Sequence, residues 1–182
     1  YIETVELYDN YGFRSWLREI TGDDARIPAQ DGRVEAAAIP KAPETTDYTV
    51  VTDWTAFDAW VKRLEGATLV ALDTETTSLS EMQARLVGIS MAVEPGQACY
   101  IPLAHRGPGE VEQLPKDEVL ARLKPWLENA DAPKLLHHAK YDTHVFANEG
   151  IVLGGVAEDT MLQAYVLESH KGVGLTDLAS RY

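Results

Sequence analysis

Two carboxylates one residue apart, Asp73 and Glu75, close an apolar run that begins Thr68-Leu69-Val70-Ala71-Leu72. Such a run, stopping on Asp-x-Glu, predicts a buried strand that delivers two acids to its carboxyl end, where open α/β sheets form their sites. Residues i and i+2 of a strand leave from the same face, so extended geometry kept as far as Glu75 puts both side chains in one small volume. Like charges that close raise each other's pKa unless something positive lies between them. A hard divalent cation is the simplest remedy, because it prefers oxygen ligands. The pair alone admits a second reading, in which Asp73, Thr74 and Glu75 keep a loop soluble and Asp73 caps a helix. A third acid, Asp142, follows His138-Ala139-Lys140-Tyr141, where a strand is predicted to meet a helix, and could converge on the other two.

The elements that must position these acids follow from periodicity and punctuation. Tyr48–Thr52 reads as a strand, and Asp53 as the cap of a helix over 55–65 whose Phe57, Trp60, Val61 and Leu64 form one apolar face, ended by Gly66. The acid-bearing strand, 68–73, comes next. Leu86–Val93 and Ala98–Ile101 flank the turn Glu94-Pro95-Gly96-Gln97 and predict an antiparallel meander. Pro115 opens a helix to Trp126, Lys134–His138 is a short strand, and Tyr141–Glu149 is a helix closed by Gly150. Asp159 caps a helix over 160–167, and another begins near Thr176. The order β-α-β-β-β-α-β-α-α predicts an α/β layer with a mixed sheet. Ahead of it, Phe13, Trp16, Leu17 and Ile20 fall at helical spacing within 1–27, and residues 28–47 have linker composition.

Composition removes several function classes. A net charge of −13 argues against broad phosphate neutralisation as the means of holding nucleic acid. It leaves a nuclease open, since bound cations invert the field of an acidic site. Cys99 is the one cysteine, so no intrachain disulfide can form, as suits a reducing cytoplasm. No run is long and apolar enough to span a bilayer, and the start shows no signal sequence; the absent initiator Met predicts a piece of a longer protein. His105 and Arg106 read as a solvated loop, and the four tryptophans as packing residues.

Several segments together resemble a known family. Asp73-Thr74-Glu75-Thr76 with Ser78-Leu79 and Leu86–Ser90, then Tyr100-Ile101-Pro102, Lys140-Tyr141-Asp142, Asn148-x-Gly150-Ile151 and Asp159-Thr160-Met161 are similar, in register, to the 3′–5′ proofreading exonuclease domain of bacterial DNA polymerase I. The resemblance covers roughly 48–182, and Tyr11-Gly12-Phe13-Arg14 looks like the tail of the preceding 5′ nuclease region. It implies a ribonuclease-H-like domain that removes nucleotides from a single-stranded DNA 3′ end with two divalent ions, magnesium, manganese or zinc. Asp73 would bridge both ions, Glu75 would hold the nucleophile-side ion and orient its water, and Asp142 would support the second ion. Leu79 would pack on the terminal base, Thr76 would line the sugar pocket, and His138 and Tyr141 would contact the terminal nucleotide. The implied partners are the polymerase and 5′ nuclease domains of the same full-length chain, in a cytoplasmic, nucleoid-associated monomer.

Two departures qualify the resemblance. The family's third motif is Tyr-x-x-x-Asp, and no tyrosine here is followed by aspartate four residues on, so weak metal binding and slow cutting are expected of a truncated domain. Where the family has Gln-Asn this chain has His137-His138, which otherwise read as the surface end of a strand. A ribonuclease-D-like RNA exonuclease and a non-catalytic module of this fold are the alternatives. If His138 donates to a phosphate, His138→Ala weakens oligonucleotide binding while His138→Asn, which keeps a side-chain N–H donor, retains it; equal binding by both variants and the unmodified protein removes that role.

Overall fold

The computed structural model describes residues 46–107 and 112–181. The helix expected within 1–27 and the linker to residue 45 lie outside them. The described elements run β1 (Asp47–Val50), α1 (Trp54–Gly66), β2 (Val70–Thr76), β3 (Leu86–Glu94), β4 (Gln97–Pro102), α2 (Lys116–Leu127), β5 (Lys134–Leu136), α3 (Ala139–Asn148), β6 (Val156–Asp159), α4 (Thr160–Leu167) and α5 (Leu175–Arg181). They form a six-stranded mixed sheet in the order β1-β4-β3-β2-β5-β6. The central meander β2-β3-β4 is antiparallel, and β1, β5 and β6 join it by parallel pairings. No helix among the described residues is long and apolar enough to cross a membrane.

Register explains the two faces of the sheet. Leu72 pairs with Met91 and Thr74 with Ile89, while Met91 pairs with Cys99 and Ile89 with Ile101; all six are buried. One residue out of phase, Ala71 pairs with Ala92, Asp73 with Ser90 and Glu75 with Gly88, and β4 adds Ala98, Tyr100 and Pro102. The first set packs in one core with Phe57, Trp60 and Leu64 of α1, Val119, Leu123 and Leu127 of α2, and Val145 and Phe146 of α3. Each such side chain contributes about 1.5–3 kcal/mol by leaving water. The second set is small or polar and lines the opposite face, so β2 is half-buried rather than buried on both sides. A cavity of about 290 Å³ lies there, bordered by Asp73, His137 and Leu175.

Most expected elements are present, β2 running three residues beyond its expected end. The strand that periodicity missed is β6, whose Val-Ala-Glu-Asp has no apolar alternation because it is a largely exposed edge strand. On helix α4, Leu162, Tyr165, Val166 and Leu167 are exposed. Lys134 is 0% exposed; its ammonium donates to the carbonyls of Ala132 and Asn129 and lies 4.4 Å from the centroid of the Trp126 ring. Burial pushes its pKa down to about 8.

Asp159 does cap α4, accepting from Met161 N and Leu162 N, and it also accepts from His138 N and Ala139 N at the start of α3. Burial pushes its carboxyl up, but these four donations prevail and hold it below the usual carboxylate range. A lost cap costs about 1 kcal/mol, and here two helix starts share one carboxylate. Asp159→Ala should lower the unfolding free energy at pH 7 by about 2 kcal/mol in urea titration; a loss of only about 1 kcal/mol, that of the α4 cap alone, would show that the α3 contacts contribute nothing.

Candidate active site

Strand β2 stays extended through Glu75, with an irregularity only between Glu75 and Thr76. Asp73 and Glu75 are both exposed on the open face, and Thr74 between them is buried. The backbone thus does what an i, i+2 spacing predicts. Burial raises the Asp73 pKa and the Glu75 charge raises it further, against the Thr74 backbone N–H and His137, which lower it. His137 follows β5 and shares a hydrogen bond between Nδ1 and Thr160 Oγ1 at 2.9 Å, which sets the ring near Asp73.

Asp142 takes a different position. It is 2% exposed, and its Oδ1 accepts from Thr74 Oγ1 at 2.6 Å. Because Thr74 points to the core side of β2, Asp142 meets the strand from that side, within electrostatic reach of Asp73. Burial drives its pKa up to about 6, the Thr74 hydroxyl lowers it, and the Asp73 charge adds to the rise. Among the described residues no three His, Cys, Asp or Glu side chains gather closely enough to hold an ion between them. The expected convergence of three carboxylates is therefore an open pair and a buried third, separated by strand parity.

Around the pair, the backbone fixes a loop. Tyr141 Oη donates to the Ser78 carbonyl at 2.5 Å and lies 2.5 Å from Thr76 Oγ1, which also donates to that carbonyl at 3.2 Å. Both hydroxyls are thus engaged in holding the turn after β2. On that turn Leu79 is 96% exposed, an apolar side chain presented on a fastened loop. His138 stacks on the Tyr141 ring at a centroid distance of 6.0 Å. Its backbone is left-handed, φ 74 and ψ 49, a conformation for which asparagine is favoured among non-glycine residues. That gives a backbone reason for the asparagine that the resemblance sets at this place.

Sequence reasoning missed Tyr100 and His105. Tyr100 projects from β4 on the same face as Asp73 and passes over Gly88, where a Cβ would lie 2.0 Å from the phenol oxygen. Burial raises the Tyr100 pKa, and the nearby Glu75 charge raises it again. Its hydroxyl is 2.5 Å from His105 Nε2, and the His105 backbone exchanges two hydrogen bonds with the Gln113 side chain. His105 is therefore pinned, in contrast to the solvated loop expected. A glycine in mid-strand was the available signal, since it marks a close approach.

The donor set of Asp73 and Glu75 suits a hard divalent cation of the kind that keeps several waters and takes one or two carboxylates plus phosphate oxygens. Asp142 bears the cost of this design. A carboxyl with a folded pKa of about 6, against about 3.9 unfolded, binds more protons folded than unfolded between those values. The contribution of Asp142 to stability is accordingly greatest below pH ~4, falls as pH rises towards ~6, and is flat above. Asp142→Asn keeps the Thr74 hydrogen bond and removes the buried charge. It should raise the unfolding free energy of the metal-free protein at pH 7 by ~3 kcal/mol, with the gain vanishing near pH 4. Denaturant titrations at the two pH values check this, and an equal gain at both would contradict it.

Known proteins resemble this chain over most of its length. The 3′–5′ exonuclease family of the DNA polymerase A group matches residues 48–182. DNA polymerase I of Pseudomonas aeruginosa is 47% identical over 167 residues, covering 91% of this chain and 18% of the relative. DNA polymerase I of Chloroflexus aurantiacus is 43% identical over 136 residues, covering 75% of this chain and 14% of the relative. The chain thus spans less than a fifth of the length of these relatives. Among solved structures, the POL domain of Pol1 from M. smegmatis in complex with DNA primer-template and dNTP superposes with a TM-score of 0.59 at 27% identity, covering 74% of this chain and 22% of that one. Escherichia coli RNase D superposes with a TM-score of 0.54 at 18% identity, covering 75% and 33%, a likeness of fold. On the family match over 48–182 and the identity to these relatives, the chain belongs to the 3′–5′ exonuclease domain family of DNA polymerase I.

Proposed function

We propose that residues 48–182 remove nucleotides from the 3′ end of single-stranded DNA, in a metal-dependent proofreading role within a longer DNA polymerase I. The observation that carries this reading is the side-by-side exposure of Asp73 and Glu75 at the end of β2 in a chain of this family. Divalent ions held by Asp73 and Glu75, with Asp142 in support, would polarise the terminal phosphodiester and offset its charge. The chain's own residues do the rest. Leu79 offers an apolar surface for the terminal base, as suits a strand whose last base is unstacked. Thr76 and Tyr141, tied to the Ser78 carbonyl, hold that surface at a fixed height above the acids and border the sugar. His138, stacked on Tyr141, presents a donor for the terminal phosphate.

In the same reading residues 1–27 are the tail of a 5′ nuclease region, 28–47 are a linker, and the domain works as a cytoplasmic monomer beside a polymerase region. The 182 residues contain no Tyr-x-x-x-Asp, so this chain is expected to cut slowly. The test uses a 5′-labelled DNA strand with magnesium or manganese. The expected outcome is a ladder shortened from the 3′ end, reduced at least about 100-fold by Asp73→Ala (~2.7 kcal/mol). Cleavage that persists in Asp73→Ala would overturn the assignment. The same strand ending in a ribose separates DNA from RNA specificity through its 2′-OH; faster removal of the ribonucleotide would favour a ribonuclease-D-like activity.

A further inference from the structure

A second cavity, of about 640 Å³, opens beside the acids, bordered by Thr77, Arg85, His105, Arg106, Lys116 and Glu149. Thr77 is fixed to it from both sides. Its N–H donates to the Arg85 carbonyl and its Oγ1 accepts from Arg85 N. One residue, Thr76, separates Thr77 from Glu75, a span of at most ~7 Å. The cavity therefore begins about one nucleotide step from the carboxylate pair. It also meets the pinned His105, whose imidazole bonds Tyr100 above Gly88. The acids and the cavity thus lie on one continuous path along the ends of β2 and β4.

Its electrostatics oppose the rest of the molecule. In a chain of net charge −13 this cavity carries three cationic side chains and one carboxylate. Lys116 is committed to Glu149 Oε1 at 2.6 Å and to the Leu86 carbonyl at 3.1 Å, so that pair is neutral and serves the wall. Arg85 gives one N–H to the Asn148 carbonyl at 3.5 Å, leaving most of its five donors for other acceptors. Arg85 and Arg106 are both exposed, and neither forms an ion pair with a carboxylate among the described residues. A planar guanidinium matches a phosphate oxygen pair, and Thr77 with its hydroxyl lies beside them.

We propose that this cavity binds the sugar–phosphate backbone of the substrate strand upstream of its 3′-terminal nucleotide, with Arg85 and Arg106 as the phosphate contacts. This rests on the reading of the chain as a single-strand exonuclease and deepens it. In a chain of net charge −13 these two guanidinium groups supply local attraction for a polyanion. Binding at this cavity is independent of the terminal nucleotide, so its contribution grows with strand length and is absent for the shortest strands.

The experiment measures binding of 5′-fluorescein oligothymidylates, two and eight nucleotides long, to the full 182-residue chain in calcium at several salt concentrations. Arg85→Ala/Arg106→Ala should weaken the eight-mer roughly tenfold at 0.1 M salt and reduce the slope of log affinity against log salt by about 1.4, two contacts at ~0.7 each. The two-mer should bind as it does to the unmodified protein. Arg63→Ala/Arg122→Ala removes the same charge from α1 and α2 and should leave both oligomers unchanged. Equal weakening of two-mer and eight-mer, no weakening of either, or the same loss in the control pair would each overturn the proposal. Failure of the unmodified protein to bind either oligomer would instead sink the exonuclease reading, and the proposal with it.

Discussion

The structure depends on the strict two-residue period of β2. Alternate side chains of one strand must satisfy opposite demands, Val70, Leu72 and Thr74 facing the core and Asp73 and Glu75 facing solvent. The period is fixed by the pleat, so a slip of one residue against β3 would turn both acids into the hydrocarbon and Leu72 into water. Burying an unpaired carboxylate is expensive, and two of them would exceed the stability of an ordinary domain of this size. The register that folds the protein is consequently the one that assembles the acid pair. Pairing of Leu72 with Met91 and Thr74 with Ile89 is thus as much a part of the site as the carboxylates themselves.

Asp142 shows how the same parity divides labour. Thr74, the residue between the two acids, is the only position from which β2 can hand a hydrogen bond to the core side, and that hydroxyl is what Asp142 accepts. The resulting carboxyl is held by neutral donors, the Thr74 hydroxyl and backbone N–H groups, and has no cationic partner among the described ion pairs. Groups perturbed by burial beside another charge concentrate at functional sites. Here the perturbation has a definite origin in helix α3 being packed against the back of the strand that carries the pair.

Much of this was legible before any coordinates. The Asp-x-Glu at the end of an apolar run, the caps at Asp53 and Asp159 and the meander around Gly96 all express local rules, and the structure follows them. What escaped has a common cause. Edge strand β6 is set by parallel pairing to β5, not by its own pattern. The left-handed backbone of His138 answers to Asp159, twenty-one residues away. Tyr100 reaches the site only because Gly88 on the neighbouring strand lacks a side chain. Asp142 carries no sign in the sequence of the face of β2 it will meet. Each of these is a contact between segments distant in sequence, which periodicity within one segment cannot reveal.

The shared carboxylate of Asp159 ties two helix starts to one group, and this sets how the domain can open. Local unfolding proceeds in cooperative units whose boundaries follow such links. Releasing β6 and α4 from the sheet edge withdraws the acceptors from His138 N and Ala139 N, so the first turn of α3 frays with them. That turn carries Tyr141 and Asp142. The edge of the sheet and the back of the acid pair therefore belong to a single unit of breathing motion. Whatever steadies α4, whose apolar residues are exposed in this structure, also steadies the loop that Tyr141 holds by its hydrogen bond to Ser78.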